Sequence, residues 1–99
     1  MASDYKVYWT NKSLNNLESI LSYLRNNWTR RETENFKNRL SKQLILIQQN
    51  PYLFPVSQYN PRLRKAVLSK QITAFYEVSG QIIYVIHLFN TNQNINRLK

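Results

Sequence analysis

The most constraining feature of this sequence is a pair of helical stripes separated by a helix-start signal. Apolar residues recur every three to four positions over residues 11–27 and again over 36–47, which predicts two amphipathic helices. Between them, Thr29 and Glu32 form a capping-box pattern, in which each side chain accepts a hydrogen bond from the other residue's backbone N–H. Pro51 disfavours helical conformation at the residue before it, so the second helix is expected to end there. Because the connection is short, we expect an antiparallel helical hairpin.

Strand-like patterns lie on both sides of the helical hairpin. Residues 5–9 alternate in the period of a strand, and residues 63–68, 72–78 and 82–89 form three further runs. The last run is almost entirely apolar and is expected in the centre of the sheet. The turn at residues 78–81 contains the only glycine and predicts a tight hairpin. The predicted fold class is therefore α+β, in the order strand–helix–helix–three strands, with an antiparallel sheet packed on the helical hairpin.

Chain length and composition exclude several classes of protein. The 99 residues predict a single domain over residues 1–99. There is no cysteine, one histidine and five acidic residues, which excludes a disulfide framework, a thiolate metal site and a cysteine nucleophile. We therefore expect no metal and no cofactor. No apolar run approaches the roughly 20 residues that span a membrane, so we expect a soluble cytoplasmic protein with no membrane partner.

The charge of the chain points to its partners. Fourteen basic residues against five acidic ones give a net charge of +9, which predicts an anionic partner, either nucleic acid or an acidic protein. The densest basic cluster consists of Arg62, Arg64, Lys65 and Lys70. Strand alternation is expected to send Arg62 and Arg64 to one face and Lys65 to the other. The cluster indicates a phosphate-binding surface or, alternatively, an edge strand whose charges prevent aggregation between sheets.

His87 is the only imidazole and the only candidate general base of that type. Simple alternation places it on the same strand face as Ile83, Val85 and Phe89. A histidine on an apolar face is more typical of a packed residue than of a catalytic one. Both interpretations follow from the sequence.

Several segments together resemble the RelE/ParE superfamily of type II toxin–antitoxin toxins. The matching segments are Tyr8-Trp9-Thr10, Ile47-Gln48-Gln49-Asn50-Pro51, Arg64-Lys65-Ala66-Val67-Leu68, residues 72–78 and residues 82–89. The resemblance implies the fold predicted above. It also implies a cognate acidic antitoxin, bound as a heterodimer or a dimer of heterodimers. Members of the superfamily act either as ribosome-dependent mRNA endonucleases or as poisons of DNA gyrase.

The sequence departs from the nucleases of this superfamily at three positions. Those nucleases carry a Lys-x-Lys pair where this chain has Arg64 and Ala66. They also carry an arginine shortly before the aromatic residue that matches Tyr76, where this chain has Thr73. Many relatives end with an Arg-Gln-Asn-Pro-like segment, and here Asn92 replaces the arginine. The nuclease residue set is therefore incomplete.

The resemblance predicts a toxin that arrests growth, with two mechanisms open. As an mRNA endonuclease, its catalytic residues would be Arg64, Lys65 and His87, and its phosphate- or target-binding residues would be Arg62, Lys70 and Asn92. As a gyrase poison, the same basic strand and the C-terminal tail would form a protein-binding surface. The alternatives are a non-catalytic RNA-binding module and a degenerate toxin without activity.

Overall fold

The structure, a computed structural model, describes residues 5–90. This part of the chain forms two helices and four strands in the predicted order. The elements are β1 (Lys6–Trp9), α1 (Asn11–Asn27), α2 (Arg30–Gln49), β2 (Arg64–Val67), β3 (Ile72–Ser79) and β4 (Ile82–Asn90). The predicted α+β class is confirmed.

The four strands form one sheet in the order β1-β4-β3-β2. The pairs β2–β3 and β3–β4 are antiparallel, as predicted, whereas β1 lies parallel to β4. The sheet is therefore mixed, because the helical hairpin carries the chain away from β1 before the last strand returns beside it. β4 is central, as its apolar sequence indicated. The hairpin between β3 and β4 turns through Gly80 and Gln81, with Gly80 at a φ of 59°.

Both helices begin with side-chain caps, and the sequence predicted the capping box at the start of α2. The hydroxyl of Thr10 accepts a hydrogen bond from the backbone N–H of Ser13, at 3.2 Å. At the start of α2, Thr29 Oγ1 accepts from the N–H of Glu32 at 3.2 Å, and Glu32 Oε1 accepts from the N–H of Thr29 at 3.0 Å. This capping box satisfies backbone donors that the first helical turn leaves without partners.

The helices cover one face of the sheet, and the core lies between the two layers. Ile20 and Leu24 of α1 and Phe36 and Leu40 of α2 pack with buried residues of the sheet. The residues of this cluster and its neighbour that come from the strands, or in the case of Leu68 from the turn after β2, are Leu68, Ile72, Ala74, Val85, Leu88, Ala66, Tyr76 and Ile83. We call the side of the sheet that faces the helices the core face, and the opposite side the open face.

A β-bulge at Ile86 changes which face the end of β4 presents. Tyr76 pairs with Val85, but the preceding residue Phe75 pairs with His87, so Ile86 has no partner in β3. One extra residue reverses the alternation of the strand. His87 therefore lies on the open face with Phe75, and the predicted face shared with Ile83 and Val85 was wrong. The other residue predicted on that shared face, Phe89, moves with His87 to the open face.

Candidate target- and partner-binding surfaces

The cations on and just before β2, which we call the basic strand, lie on both faces of the sheet. Arg64 pairs with Tyr76 on the core face, and Lys65 pairs with Phe75 on the open face. Arg62 precedes β2, and its Nε lies 3.9 Å from a carboxylate oxygen of Glu77, on the open face. The prediction that Arg62 and Arg64 share a face was therefore wrong, because Arg62 lies outside the strand and its side chain reaches across to β3.

The guanidinium of Arg64 is engaged within the protein. Its Nη1 donates a hydrogen bond of 2.7 Å to the carbonyl of Phe54 and a longer one of 3.4 Å to the carbonyl of Tyr52. The guanidinium carbon also lies 5.0 Å from the centre of the Tyr52 ring, within the range of a cation–π contact. Arg64 thus fastens the loop that follows α2 to the edge of the sheet.

Tyr76 also contacts the loop that follows α2, from the core face of the sheet. Its hydroxyl is buried and donates a hydrogen bond of 2.7 Å to the carbonyl of Pro51. Burial raises the pKa of Tyr76 to about 12, with the charge of Arg64 acting in the opposite direction. The phenol is therefore neutral under physiological conditions and acts as a hydrogen-bond donor inside the core.

Aromatic side chains dominate the open face. Tyr8 and Tyr84 meet edge to face with ring centres 5.6 Å apart. The rings of Phe75 and His87 are stacked at 6.0 Å, and the His87 and Phe89 rings lie 6.1 Å apart. Several of these side chains remain accessible, since Tyr8 is 56% exposed and Phe89 is 36% exposed.

His87 is held in one tautomer by Asn16 of α1. His87 Nδ1 lies 3.0 Å from Asn16 Oδ1, which also accepts a hydrogen bond from the backbone N–H of Leu88 at 3.2 Å. Because that oxygen is an acceptor, Nδ1 carries the proton and Nε2 is the basic nitrogen. Burial, with a contribution from the charge of Lys12, lowers the pKa of His87. The imidazole is therefore neutral at physiological pH.

The three residues assigned to catalysis do not converge on one point. Lys65 and His87 share the open face, but Phe75 lies between them in the register, which separates their strands by about 10 Å. Arg64 is on the core face. Phosphodiester cleavage without a metal needs donors and cations aimed at the same phosphate. The arrangement supplies one neutral imidazole and one exposed lysine on opposite sides of a phenyl ring.

A groove of about 700 Å³ lies between α2 and the turn that joins β2 to β3. Trp28, Phe36 and Leu68 provide apolar lining, and Arg39, Lys42 and Lys70 provide cations. We call this cavity the α2 groove. Beside it, the side chain of Gln43 donates a hydrogen bond of 3.0 Å to the carbonyl of Val67, which ties α2 to the outer edge of β2.

Lys70 was predicted from the sequence as a binding residue, whereas its position beside Arg39 and Lys42 in the α2 groove was not. Arg39 and Lys42 are three residues apart on α2, a spacing that places both on one side of a helix. That spacing was the available signal, but it did not show which side of α2 faces the sheet edge. The remaining predicted residue, Asn92, lies outside the described residues.

Two further observations concern metal-binding groups and membrane-spanning helices in residues 5–90. Within that range, no group of three or more histidine, cysteine or acidic residues is placed to hold a metal ion. No helix in the same range is long and apolar enough to cross a membrane.

Sequence comparison decides the family. Residues 7–95 match the family described as the ParE toxin of the type II toxin–antitoxin system parDE. This chain belongs to the ParE toxin family. The superfamily inferred from the residues is thereby confirmed, and the chain is a type II toxin–antitoxin toxin. Comparison with curated protein sequences finds no significant match.

Solved structures of other toxins share the fold of this ParE-family chain. The toxin fold of the chromosomal ParDE system from P. aeruginosa superposes with a TM-score of 0.71 at 18% identity, covering 87% of this chain and 95% of that one. A YoeB/ParE toxin from Agrobacterium tumefaciens gives 0.64 at 14% identity, with coverages of 86% and 96%. The E. coli DinJ-YafQ toxin–antitoxin complex gives 0.62 at 8% identity, with coverages of 91% and 96%. At these identities the likeness concerns the fold.

Proposed function

We propose that this ParE-family toxin arrests growth by binding and poisoning DNA gyrase in the cytoplasm, without cleaving nucleic acid itself. The observation that carries the proposal is the division of the basic strand: Arg64 is engaged with loop carbonyls on the core face, and Lys65 lies on the open face. An endonuclease that works through cations needs them around a single phosphate. A toxin that acts by binding has no such requirement.

The test compares two in vitro systems. The full chain is incubated with bacterial DNA gyrase, ATP and supercoiled plasmid, and trapped cleavage complexes are released as linear DNA by detergent and protease. In parallel, the chain is added to a bacterial translation extract, and the 5′ ends of the messenger RNA are mapped. We expect linear plasmid that depends on gyrase, and intact messages.

New 5′ ends at fixed codon positions, with no linear plasmid, would contradict the proposal and identify a ribosome-dependent endonuclease. Normal growth of cells that contain the folded protein, with neither effect in vitro, would identify an inactive toxin. Lys65→Ala and His87→Gln provide an internal check on the nuclease alternative. If the protein is an endonuclease that uses these residues, each substitution should reduce message cleavage.

We also propose that the toxin is neutralised by an acidic antitoxin whose apolar side chains enter the α2 groove. The structures with the same fold include a ParDE system and a DinJ-YafQ toxin–antitoxin complex. The apolar lining and the cations Arg39, Lys42 and Lys70 suit an amphipathic acidic segment. The charges would raise the association rate, and burial of apolar side chains would supply most of the affinity.

The antitoxin proposal is tested with the product of any small acidic reading frame beside this gene. Co-expression should rescue growth and yield a heterodimer or a dimer of heterodimers on size-exclusion chromatography with light scattering. Lys42→Glu in the α2 groove should weaken binding at least tenfold, whereas Lys37→Glu, with the same change in net charge, should weaken it less than twofold. Equal effects of the two variants would place the antitoxin elsewhere.

A further inference from the structure

The open face is an unpartnered surface that the α2 groove and its antitoxin do not explain. Its aromatic and aliphatic side chains lie on the side of the sheet opposite the helices, apart from the ring of His87, whose Nδ1 also contacts Asn16 of α1. They are Tyr8, Val67, Phe75, Ile82, Tyr84, His87 and Phe89. Val67 is 56% exposed, and Tyr8 equally so.

The exposed apolar side chains on this surface are typical of an interaction site. Besides Tyr8 and Val67, Ile82 and Phe89 are each 36% exposed. The polar residues Thr73, Glu77 and Ser79 of β3 lie on the same face. Large apolar side chains that stay exposed close to one another on a small protein commonly mark binding sites.

The charges around the open face favour an acidic partner. Lys6 and Lys65 project from the same face, and Arg62 reaches it from the loop before β2. Among the sheet residues that the structure describes, Glu77 is the only carboxylate, and it lies 3.9 Å from Arg62. The face therefore presents an apolar centre with an excess of positive charge.

The arrangement of the rings favours a protein over unpaired nucleic acid. Nucleobases bind to aromatic side chains by stacking on exposed ring faces. Here Phe75 and His87 are stacked with ring centres 6.0 Å apart, and Tyr8 meets Tyr84 edge to face. Each of these rings therefore already contacts another ring, which makes it a poorer stacking platform for a nucleobase and favours contact with the side chains of a folded partner.

We infer that the open face is the surface through which this toxin binds its target topoisomerase, against a protein patch with an apolar centre and surrounding carboxylates. The inference rests on the proposed function. It assigns target and antitoxin to two different surfaces, the open face and the α2 groove. Substitutions on the open face should therefore separate binding of the target from binding of the antitoxin.

The experiment measures binding of the full chain to immobilised bacterial DNA gyrase holoenzyme by biolayer interferometry. Phe89→Ser and Lys65→Glu alter the open face. Leu14→Ser on α1, where Leu14 is 45% exposed, and Lys37→Glu on α2 are the matched controls. Circular dichroism and thermal melting confirm that each variant is folded. We expect the open-face variants to bind at least tenfold more weakly than the natural chain, and the controls to bind within twofold of it.

The outcomes separate the inference from the proposed function. If the natural chain traps gyrase and both open-face variants do so equally well, the inference is overturned and the proposed function stands. If the natural chain neither binds nor traps gyrase, both are overturned.

Two other occupants of the open face are detected by the same variants. A fluorescent single-stranded oligonucleotide that loses affinity tenfold with Phe89→Ser, while gyrase binding is unchanged, would assign the face to nucleic acid. A dimer of the natural chain that Phe89→Ser converts to a monomer, with gyrase binding again unchanged, would assign the face to a second copy. Either result would overturn the inference.

Discussion

Replacing Tyr76 with phenylalanine tests how the loop after α2 is held to the core. The substitution Tyr76→Phe keeps the ring but removes the hydroxyl that donates a 2.7 Å hydrogen bond to the carbonyl of Pro51. A net hydrogen bond is worth about 1 kcal/mol, and leaving a buried carbonyl without its partner costs about 1–3 kcal/mol. We expect the free energy of unfolding to fall by about 2 kcal/mol at pH 7.

The effect of the same substitution on the free energy of unfolding should depend on pH, in a direction set by the pKa of Tyr76. The pKa of Tyr76 is about 12 in the folded protein, against 10.0 for an ordinary tyrosine, so the folded state favours the protonated phenol. That stabilisation is complete below pH 10 and is lost as the pH rises towards 12. Phenylalanine does not titrate. The stability gap between the natural chain and Tyr76→Phe should therefore narrow by about 1 kcal/mol between pH 9 and pH 11.

Urea unfolding followed by tryptophan fluorescence measures both effects, because Trp9 and Trp28 pack against the core. Tyr59→Phe is the matched control, since Tyr59 is 87% exposed and its substitution should leave stability unchanged. A gap below about 0.3 kcal/mol at pH 7, or one that stays constant from pH 9 to pH 11, would refute the assignment of a buried hydrogen bond.

Substitutions at three further positions test the fold. Leu24→Ala removes a fully buried side chain from the core and should cost about 3–5 kcal/mol in urea unfolding, with an unchanged slope if the transition remains two-state. Thr29→Ala removes the cap of α2 and should cost about 1 kcal/mol, whereas Thr29→Ser should restore most of it; a serine variant no better than alanine would argue against the cap. Gly80→Ala places a Cβ at a φ of 59° in open space, so its cost of about 1 kcal/mol in thermal melting should be largely recovered by Gly80→Asn; equal melting of all three proteins would contradict the strained turn.

Local physics explains why the elements were predictable. The two helices are specified by apolar spacing, by the caps at Thr10 and Thr29 and by the proline at position 51, all of which act within a few residues. The same holds for the turn at Gly80, where only a residue that tolerates positive φ fits easily. The parallel pairing of β1 with β4 has no local signature, because it depends on where the helical hairpin returns the chain.

The candidate surfaces were predictable only in part. Alternation correctly separated Arg64 from Lys65, since a strand has a fixed period of two residues. It failed at His87, because the bulge at Ile86 adds one residue opposite β3 and reverses every later position on β4. Nothing in the sequence around His87 indicates that bulge.

The sequence by itself determined the helices, their caps, the tight turn, the positive charge and the family. Only the tertiary structure decided how those charges are used. In the folded chain, Arg64 donates a hydrogen bond to the carbonyl of Phe54, and His87 lies on the open face beside Phe75. Lys70 lines the same groove as Arg39 and Lys42. The physical reason is that strand register and helix-to-sheet packing join residues far apart in the chain, whereas caps, turns and periodicity act only between near neighbours.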